Sequence, residues 1–213
     1  EKLREAGVNR LSLGAQAFQD SLLHVLGRTH CAADVYASVE ALHAAGFTNF
    51  SLDLMFGLPG QTLADWQETL EQAVSLRPAH LSCYSLIVEE ATPFYDSFHA
   101  GSLDLPGEDL EADMFELAQD YLTGVGYCQY EVSNFALPGC ECAHNLHYWH
   151  NRPYLGLGSG ASGRLGSVRY SNGADVEEYT RAWEKYEPFI AYQESIDEDL
   201  AMDETLICGL RLL

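Results

Sequence analysis

Apolar residues along the chain occur either in short runs or at the spacing of an α-helix, and these two patterns alternate. Apolar runs at 8–15, 50–55 and 81–88 predict strands. Helical spacing follows the first run at 33–45, and follows the second between Thr62 and Pro78. Strands that alternate with helices predict an α/β fold with a parallel sheet covered by helices.

Capping signals support the helix assignments. Thr62, with Asp65 three residues later, predicts a capping box, and Asp20 predicts the cap of a short helix that ends at Gly27. A further helix is predicted over 108–122.

The second half of the chain has weaker patterns. Alternation over Tyr127–Phe135 predicts one further strand, and the glycines of Gly156–Gly166 predict a loop. The tail from Asp175 to Leu213 is predicted to be helical.

Polar or small side chains share one face of each of the first three strands. We place on that face Ser12, Gly14 and Gln16, then Ser51, Asp53 and Met55, then Cys83 and Ser85. Parallel strands are usually apolar on both faces, so this pattern indicates either a bound polar ligand or a buried hydrogen-bonding network. Ligands of parallel sheets bind at the carboxyl ends of the strands, where Gln16 and the loop Gly57-Leu-Pro-Gly60 are expected.

Charge and composition exclude several partners. The formal charge is -21, from 32 acidic and 11 basic residues, so nucleic acid and anionic membrane surfaces would repel the chain. No apolar run is long enough to predict stable membrane insertion. The six cysteines are scattered and no secretory segment precedes them, which favours reduced thiols and a cytoplasmic location.

The stretch from Cys140 to Trp149 concentrates thiols, imidazoles and aromatic rings. This mixture suits a flat, iron-containing ligand better than an apolar core. Two alternatives stay open: His144 could be satisfied by the turn after Pro138-Gly139, or Cys140, Cys142 and His144 could bind zinc. The Cys-x-Cys-x-His spacing is tighter than structural zinc usually has.

Five motifs, in order along the chain, resemble one known family. They are Gly7-Val-Asn-Arg-Leu-Ser-Leu-Gly-Ala-Gln16-Ala-Phe18, Leu26-Gly-Arg28-Thr-His30, Asp53-Leu-Met-Phe-Gly-Leu-Pro-Gly-Gln61, Gln129-Tyr-Glu-Val-Ser-Asn-Phe135 and His144-Asn-Leu-His-Tyr-Trp149. The chain resembles the radical SAM proteins related to oxygen-independent coproporphyrinogen III oxidase, and most closely the heme chaperones among them. The resemblance implies a partial, TIM-like (β/α) barrel with a mixed or helical C-terminal extension. It also implies a [4Fe-4S] cluster and S-adenosylmethionine at the strand ends, and cytoplasmic proteins that bind heme.

The resemblance assigns cofactor roles to three residues. Gln16 and Asp53 match positions that hydrogen-bond the ribose hydroxyls of S-adenosylmethionine, and Arg28 matches the position that holds its methionyl carboxylate. The chemistry agrees, because a carboxylate accepts from hydroxyl groups and a guanidinium pairs with a carboxylate. Without the resemblance, Arg28 would be interpreted as a cation that interacts with the preceding helix dipole.

The resemblance links His144, Asn145 and Tyr148 to heme through a His-Asn-x-x-Tyr pattern. An imidazole is a common axial ligand of heme iron, so His144 is the expected ligand. His147 or His150 could replace it. Tyr148 and Trp149 offer ring faces to a porphyrin.

The chain departs from the family pattern at two points. It has no Cys-x-x-x-Cys-x-x-Cys triplet to bind the [4Fe-4S] cluster, and we expect those cysteines upstream of Glu1. Ser162 stands where relatives usually have histidine.

Three segments and one function follow from this interpretation. We expect the second half of a radical SAM partial barrel at 1–126, a strand and loop segment with the heme motif at 127–174, and the start of a helical domain at 175–213. The expected function is to hold heme for transfer to an acceptor protein. The alternatives are an oxygen-independent coproporphyrinogen III oxidase and a βα enzyme without a radical cofactor.

Overall fold

The computed structural model describes residues 1–213, apart from the side chain of Pro93. The chain divides into two compact units, Glu1–Glu141 and Cys142–Leu213. Among the residues so described, no helix has the length and the apolar character needed to span a bilayer.

The first unit is an α/β sheet with helices. Its helices are α1 (Lys2–Glu5), α2 (Asp20–Val25), α3 (Ala32–Ala44), α4 (Leu63–Ser75), α5 (Pro93–His99) and α6 (Glu108–Gly124), and its strands are β1 (Leu11–Gln16), β2 (Phe50–Phe56), β3 (His80–Ser85), β4 (Cys128–Glu131) and β5 (Asn134–Ala136). The strand order is β1-β2-β3-β5-β4, with the first three strands parallel and the β5 and β4 pairings antiparallel. The predicted parallel sheet of βα units is confirmed.

Helix starts follow the local sequence at α4 but not at α2. Thr62 Oγ1 accepts from the Asp65 backbone N at 3.2 Å and Asp65 Oδ2 accepts from the Thr62 backbone N at 2.9 Å, so the predicted capping box is confirmed. Asp20, expected to cap α2, is instead its first residue. Its carboxylate accepts from the Ala32 backbone N at 2.8 Å and so satisfies the start of α3.

A helix-covered face of the sheet holds the core. Trp66 of α4 is fully buried there, and its indole N–H donates to the Met114 carbonyl oxygen of α6 at 2.8 Å. Leu54 of β2 lies beside Cys83 of β3 in register, and both belong to this core. The placement of Cys83 and Ser85 on the polar face is therefore wrong.

Pairing in register decides which β3 residues do share the polar face. Asp53 is paired with Gly14 on one side and with Ser82 on the other. Neighbours in a sheet point to the same side, so Ser82 and Tyr84 lie on the face with Asp53.

The predicted strand over Tyr127–Phe135 is two strands, β4 and β5, joined by a tight turn. Glu131 is fully buried, and its Oε1 accepts from the Ser133 backbone N at 2.9 Å and from the Asn134 side-chain amide. The side-chain amide of Gln129 donates to the Val132 carbonyl oxygen at 3.0 Å. These side-chain bonds stabilise a reversal that the alternating pattern hides.

The second unit contains a three-stranded antiparallel sheet and helices. Its helices are α7 (Ala143–Trp149), α8 (Val176–Glu184) and α9 (Glu198–Gly209), and its strands are β6 (Ser162–Leu165), β7 (Val168–Asn172) and β8 (Ile190–Ser195), in the order β6-β7-β8. The predicted loop over Gly156–Gly166 thus contains β6, and the predicted helical tail contains β8. The boundaries proposed at 126 and 174 stay predictions.

Glycine in β6 serves packing rather than a loop. A β-carbon at Gly163 would lie 2.3 Å from Cζ of the Tyr170 ring on the neighbouring strand, so only glycine admits that ring. The opposite face of this sheet is charged: Arg169 pairs with Glu194 at 2.6 Å and also with Glu204 of α9.

Candidate functional site

Gln16 ends β1 at an irregular position. The β1–β2 register shifts between Gly14 and Gln16, and Gln16 has a φ of 66°, a region that few residues other than glycine adopt. The residue is 4% exposed, and its Oε1 accepts a hydrogen bond from the Tyr84 hydroxyl at 3.1 Å. The strand irregularity thus places a buried amide at the carboxyl end of β1.

Asp53 lies in the middle of β2 and is half-buried. The Ser12 hydroxyl of β1 donates to its Oδ1 at 2.8 Å. Because a carboxylate has two acceptor oxygens, this bond orients Asp53 and leaves it with acceptor capacity for a ligand.

Arg28 follows α2 and is exposed. Gly27, with a φ of 67°, ends the helix, and the Arg28 backbone N donates to the Leu23 carbonyl oxygen at 2.9 Å. The backbone of Arg28 is thus fixed by the helix end.

Tyr84 connects these three residues. Burial raises the pKa of its hydroxyl, and the Asp53 carboxylate raises it further, whereas the Gln16 hydrogen bond and the Arg28 charge lower it. The three residues identified from the sequence therefore lie within electrostatic or hydrogen-bonding reach of one phenol. Tyr84 is not among the site residues predicted from the sequence, although its position two residues after Ser82 on β3 places it on the same face.

A cavity of about 590 Å³ lies between the carboxyl ends of β2 and β3 and helix α6; Tyr84 is among its lining residues, but Gln16, Arg28 and Asp53 are not. On its helix side, Ser85 Oγ donates to Glu111 Oε1 at 2.5 Å. Cys83 also lines the cavity, but burial raises the pKa of its thiol, so it stays protonated and weakly reactive.

The side chains of Gln16, Arg28 and Asp53 suit a ligand that carries hydroxyl and carboxylate groups. The polar set offers an acceptor at Asp53, an amide at Gln16 and a guanidinium at Arg28, which match hydroxyl and carboxylate groups. Gly14 leaves open a position where a β-carbon would lie 2.7 Å from Nε2 of Gln16.

The predicted heme residues lie on α7 in the second unit. His144 is exposed, and its ring packs edge-on against Tyr148 with centroids 4.7 Å apart and planes at 88°. Tyr148 in turn contacts the Tyr154 ring at 4.5 Å. Asn145, the next residue of the motif, is half-buried.

The other candidate ligands differ from His144 in their contacts. Nε2 of His147 lies 2.6 Å from the Pro153 carbonyl oxygen, a contact in which the ring donates its N–H. His150 is exposed and follows the end of α7. The Arg211 guanidinium lies 4.3 Å from the Trp149 ring centroid, so a cation covers one face of that indole.

The structure does not support a zinc site at Cys140, Cys142 and His144, and Ser162 is engaged in a contact between strands. In the described part of the chain, no group of three or more His, Cys, Asp or Glu side chains is placed to hold a metal ion. The hydroxyl of Ser162 shares a hydrogen bond with the Ser171 hydroxyl at 2.7 Å across β6 and β7.

Comparison with known proteins gives three findings. A family model described as the Radical SAM superfamily matches residues 1–73. The protein named heme chaperone HemW from Bacillus subtilis is 46% identical over 98% of this chain and 55% of its own length. The protein of the same name from Lactococcus lactis is 43% identical, also over 98% of this chain and 55% of its own length.

A solved structure shows the same fold. Coproporphyrinogen III oxidase (HemN) from Escherichia coli, which its title describes as a radical SAM enzyme, superimposes with a TM-score of 0.80 over 99% of this chain and 51% of that one. Identity is 23%, so this likeness concerns the fold alone. The chain spans about half the length of the curated relatives it matches. Residues 1–73 of this chain therefore match the radical SAM superfamily, and nearly the whole chain is similar to the proteins named heme chaperone HemW.

Proposed function

We propose that the full-length protein is a heme chaperone of the radical SAM superfamily, which holds heme in the cytoplasm for transfer to an acceptor protein. The observation that carries this proposal is the exposed His144 imidazole, braced by Tyr148 on α7, in a chain 46% identical to a protein named heme chaperone.

The heme-binding roles follow from the contacts on α7. The exposed imidazole of His144 is the proposed axial ligand, because neutral imidazole binds heme iron readily. Tyr148 supports that ring from one side, and we assign the Asn145 amide to hydrogen bonding at the same site. Nε2 of His147 already donates to the Pro153 carbonyl oxygen, so this nitrogen is not available to iron, and His144 is favoured over His147 as the ligand.

The adenosyl site belongs to the same proposal. Gln16 and Asp53 would bind the ribose hydroxyls of S-adenosylmethionine, and Arg28 would pair with its carboxylate. In this proposal the full-length protein also binds a [4Fe-4S] cluster, and the cluster and S-adenosylmethionine together would permit or regulate heme transfer.

A chaperone agrees better with the charge of this chain than an oxidase does. Coproporphyrinogen carries four carboxylates, which call for several basic side chains, and the chain has 11 Lys and Arg residues against 32 acids. The curated relatives reported above are likewise named as chaperones rather than oxidases.

Heme titration of the full-length protein tests the proposal. We expect a Soret band that shifts, and an affinity that falls at least about tenfold, in His144→Ala. His150→Ala tests the alternative ligand, and His24→Ala, at an exposed position on α2, is the control. Equal spectra for His144→Ala and the unaltered protein would exclude His144 as the heme ligand. Anaerobic turnover of coproporphyrinogen would contradict the chaperone assignment.

A further inference from the structure

We propose that the Tyr84 hydroxyl is a positioning group for Gln16: it holds the amide oxygen, so that the amide N–H groups face the adenosyl cofactor. This inference rests on the proposed function, because it concerns the same cofactor site. It adds a residue to the site and a direction to one of its hydrogen bonds.

The first support is the direction of the contact between the two side chains. The Tyr84 hydroxyl donates to Oε1 of Gln16 at 3.1 Å, across 68 positions of sequence. A primary amide has one oxygen acceptor and one nitrogen with two N–H donors. When Tyr84 engages the oxygen, the nitrogen is the end of Gln16 that is available to a ligand.

The second support is the position of that nitrogen. Nε2 of Gln16 lies 2.7 Å from the point where a β-carbon on Gly14 would stand. Gly14 of β1 is paired in register with Asp53 of β2. Nε2 of Gln16 therefore lies above Gly14, the neighbour of Asp53 on the adjacent strand. Glycine at 14 therefore leaves the space into which the amide nitrogen turns.

The backbone of Gln16 adds a third observation. Its φ of 66° is unfavourable for a residue with a β-carbon. Strained conformations of this kind persist where surrounding contacts fix them, and the Tyr84 hydrogen bond is such a contact.

A donor and an acceptor side by side define the ligand chemistry. Gln16 offers N–H groups and Asp53 offers carboxylate oxygens, so the matching group must accept from one and donate to the other. Hydroxyl groups do both, and the vicinal hydroxyls of a ribose present two of them at adjacent positions. A reversed Gln16 amide would place two acceptors together and would weaken that match.

Binding of S-adenosylmethionine and of S-adenosylhomocysteine to the full-length, anaerobically reconstituted protein tests the inference. We expect Tyr84→Phe to weaken both affinities by about three- to tenfold, the usual effect of one hydrogen bond. Gly14→Ala should weaken them similarly, because its β-carbon displaces a flexible amide and leaves the fold intact. Tyr36→Phe is the matched control, since the Tyr36 hydroxyl donates to Oε1 of Gln72 at 2.8 Å on the surface.

A double-mutant cycle separates positioning from packing. In a Gln16→Leu background, Tyr84→Phe should cause no further loss of affinity, because the amide that it orients is gone. An equal loss in both backgrounds, or no loss in the single variant, would overturn the inference while the proposed function stands. Absence of binding by the unaltered protein would instead overturn the proposed function and this inference with it.

Discussion

The imidazole of His80 is hydrogen-bonded to the hydroxyl of Ser51, with Nδ1 and Oγ 2.8 Å apart on neighbouring strands. Its other nitrogen, Nε2, lies 2.8 Å from the Tyr130 hydroxyl. The residue is 1% exposed, and burial, with a smaller effect of the Arg10 charge, lowers its pKa from 6.5 to about 3. His80 is therefore neutral in the folded protein at every physiological pH.

This neutral histidine makes the stability of the first unit depend on pH. Between pH 6.5 and pH 3 the unfolded chain binds a proton at His80 that the folded chain does not, so acid favours unfolding. We expect the free energy of unfolding to fall by about 2 kcal/mol between pH 7 and pH 5 from this group, with a limiting slope of about 1.4 kcal/mol per pH unit. Urea unfolding at the two pH values measures it.

The control for the pH effect removes the titrating group. His80→Gln should lose stability at pH 7 but show a smaller difference between pH 7 and pH 5, because glutamine does not titrate. His24→Gln, at an exposed position on α2, should keep the full difference. An unchanged pH difference in His80→Gln would contradict the assignment.

Asp53 provides a test of the adenosyl site that preserves its shape. Asp53→Asn removes the charge and exchanges one acceptor oxygen for an amide nitrogen, so we expect S-adenosylmethionine to bind at least about tenfold more weakly. Asp109→Asn, on the exposed start of α6, should leave the affinity unchanged. Equilibrium dialysis with the full-length protein checks both, and equal affinity in Asp53→Asn would exclude Asp53 from the site.

Two substitutions at Tyr148 distinguish the packing of its ring against His144 from hydrogen bonding by its hydroxyl. Tyr148→Phe keeps the edge-on contact with His144, whose centroid lies 4.7 Å away, and should change heme affinity little. Tyr148→Leu removes the ring, and we expect affinity to fall by about three- to tenfold. Heme titrations of the two variants measure the difference; the same affinity in both would show that the aromatic contact is dispensable.

Gly163 tests the packing of the second unit. In Gly163→Ala the new β-carbon would lie 2.3 Å from the Tyr170 ring, so the ring must move, and we expect a loss of about 1–3 kcal/mol in unfolding free energy. Gly209→Ala is the matched control, because that glycine ends α9 with open space around its would-be β-carbon. Urea unfolding measures both variants, and equal stability of Gly163→Ala and the unaltered protein would contradict the packing role.

Local sequence determined the βα units and the start of α4. The capping box of Thr62 and Asp65 involves residues three positions apart, and the apolar stripe of α4 repeats within one helix. Such signals act through neighbouring residues, so no tertiary partner is needed to interpret them. The motif resemblance likewise identified Gln16, Arg28 and Asp53 as one candidate set.

Tertiary structure decided which side chains meet. The face on which Cys83 lies depends on the register of β3 against β2, and a shift of one residue reverses every side chain. Strands β7 and β8 pair although α8 lies between them in the sequence. That pairing overrides the local pattern that predicted a helix at β8. The contact between Tyr84 and Gln16 joins positions 68 residues apart. Spacing along a chain fixes local geometry, but strand register and packing bring such distant groups together.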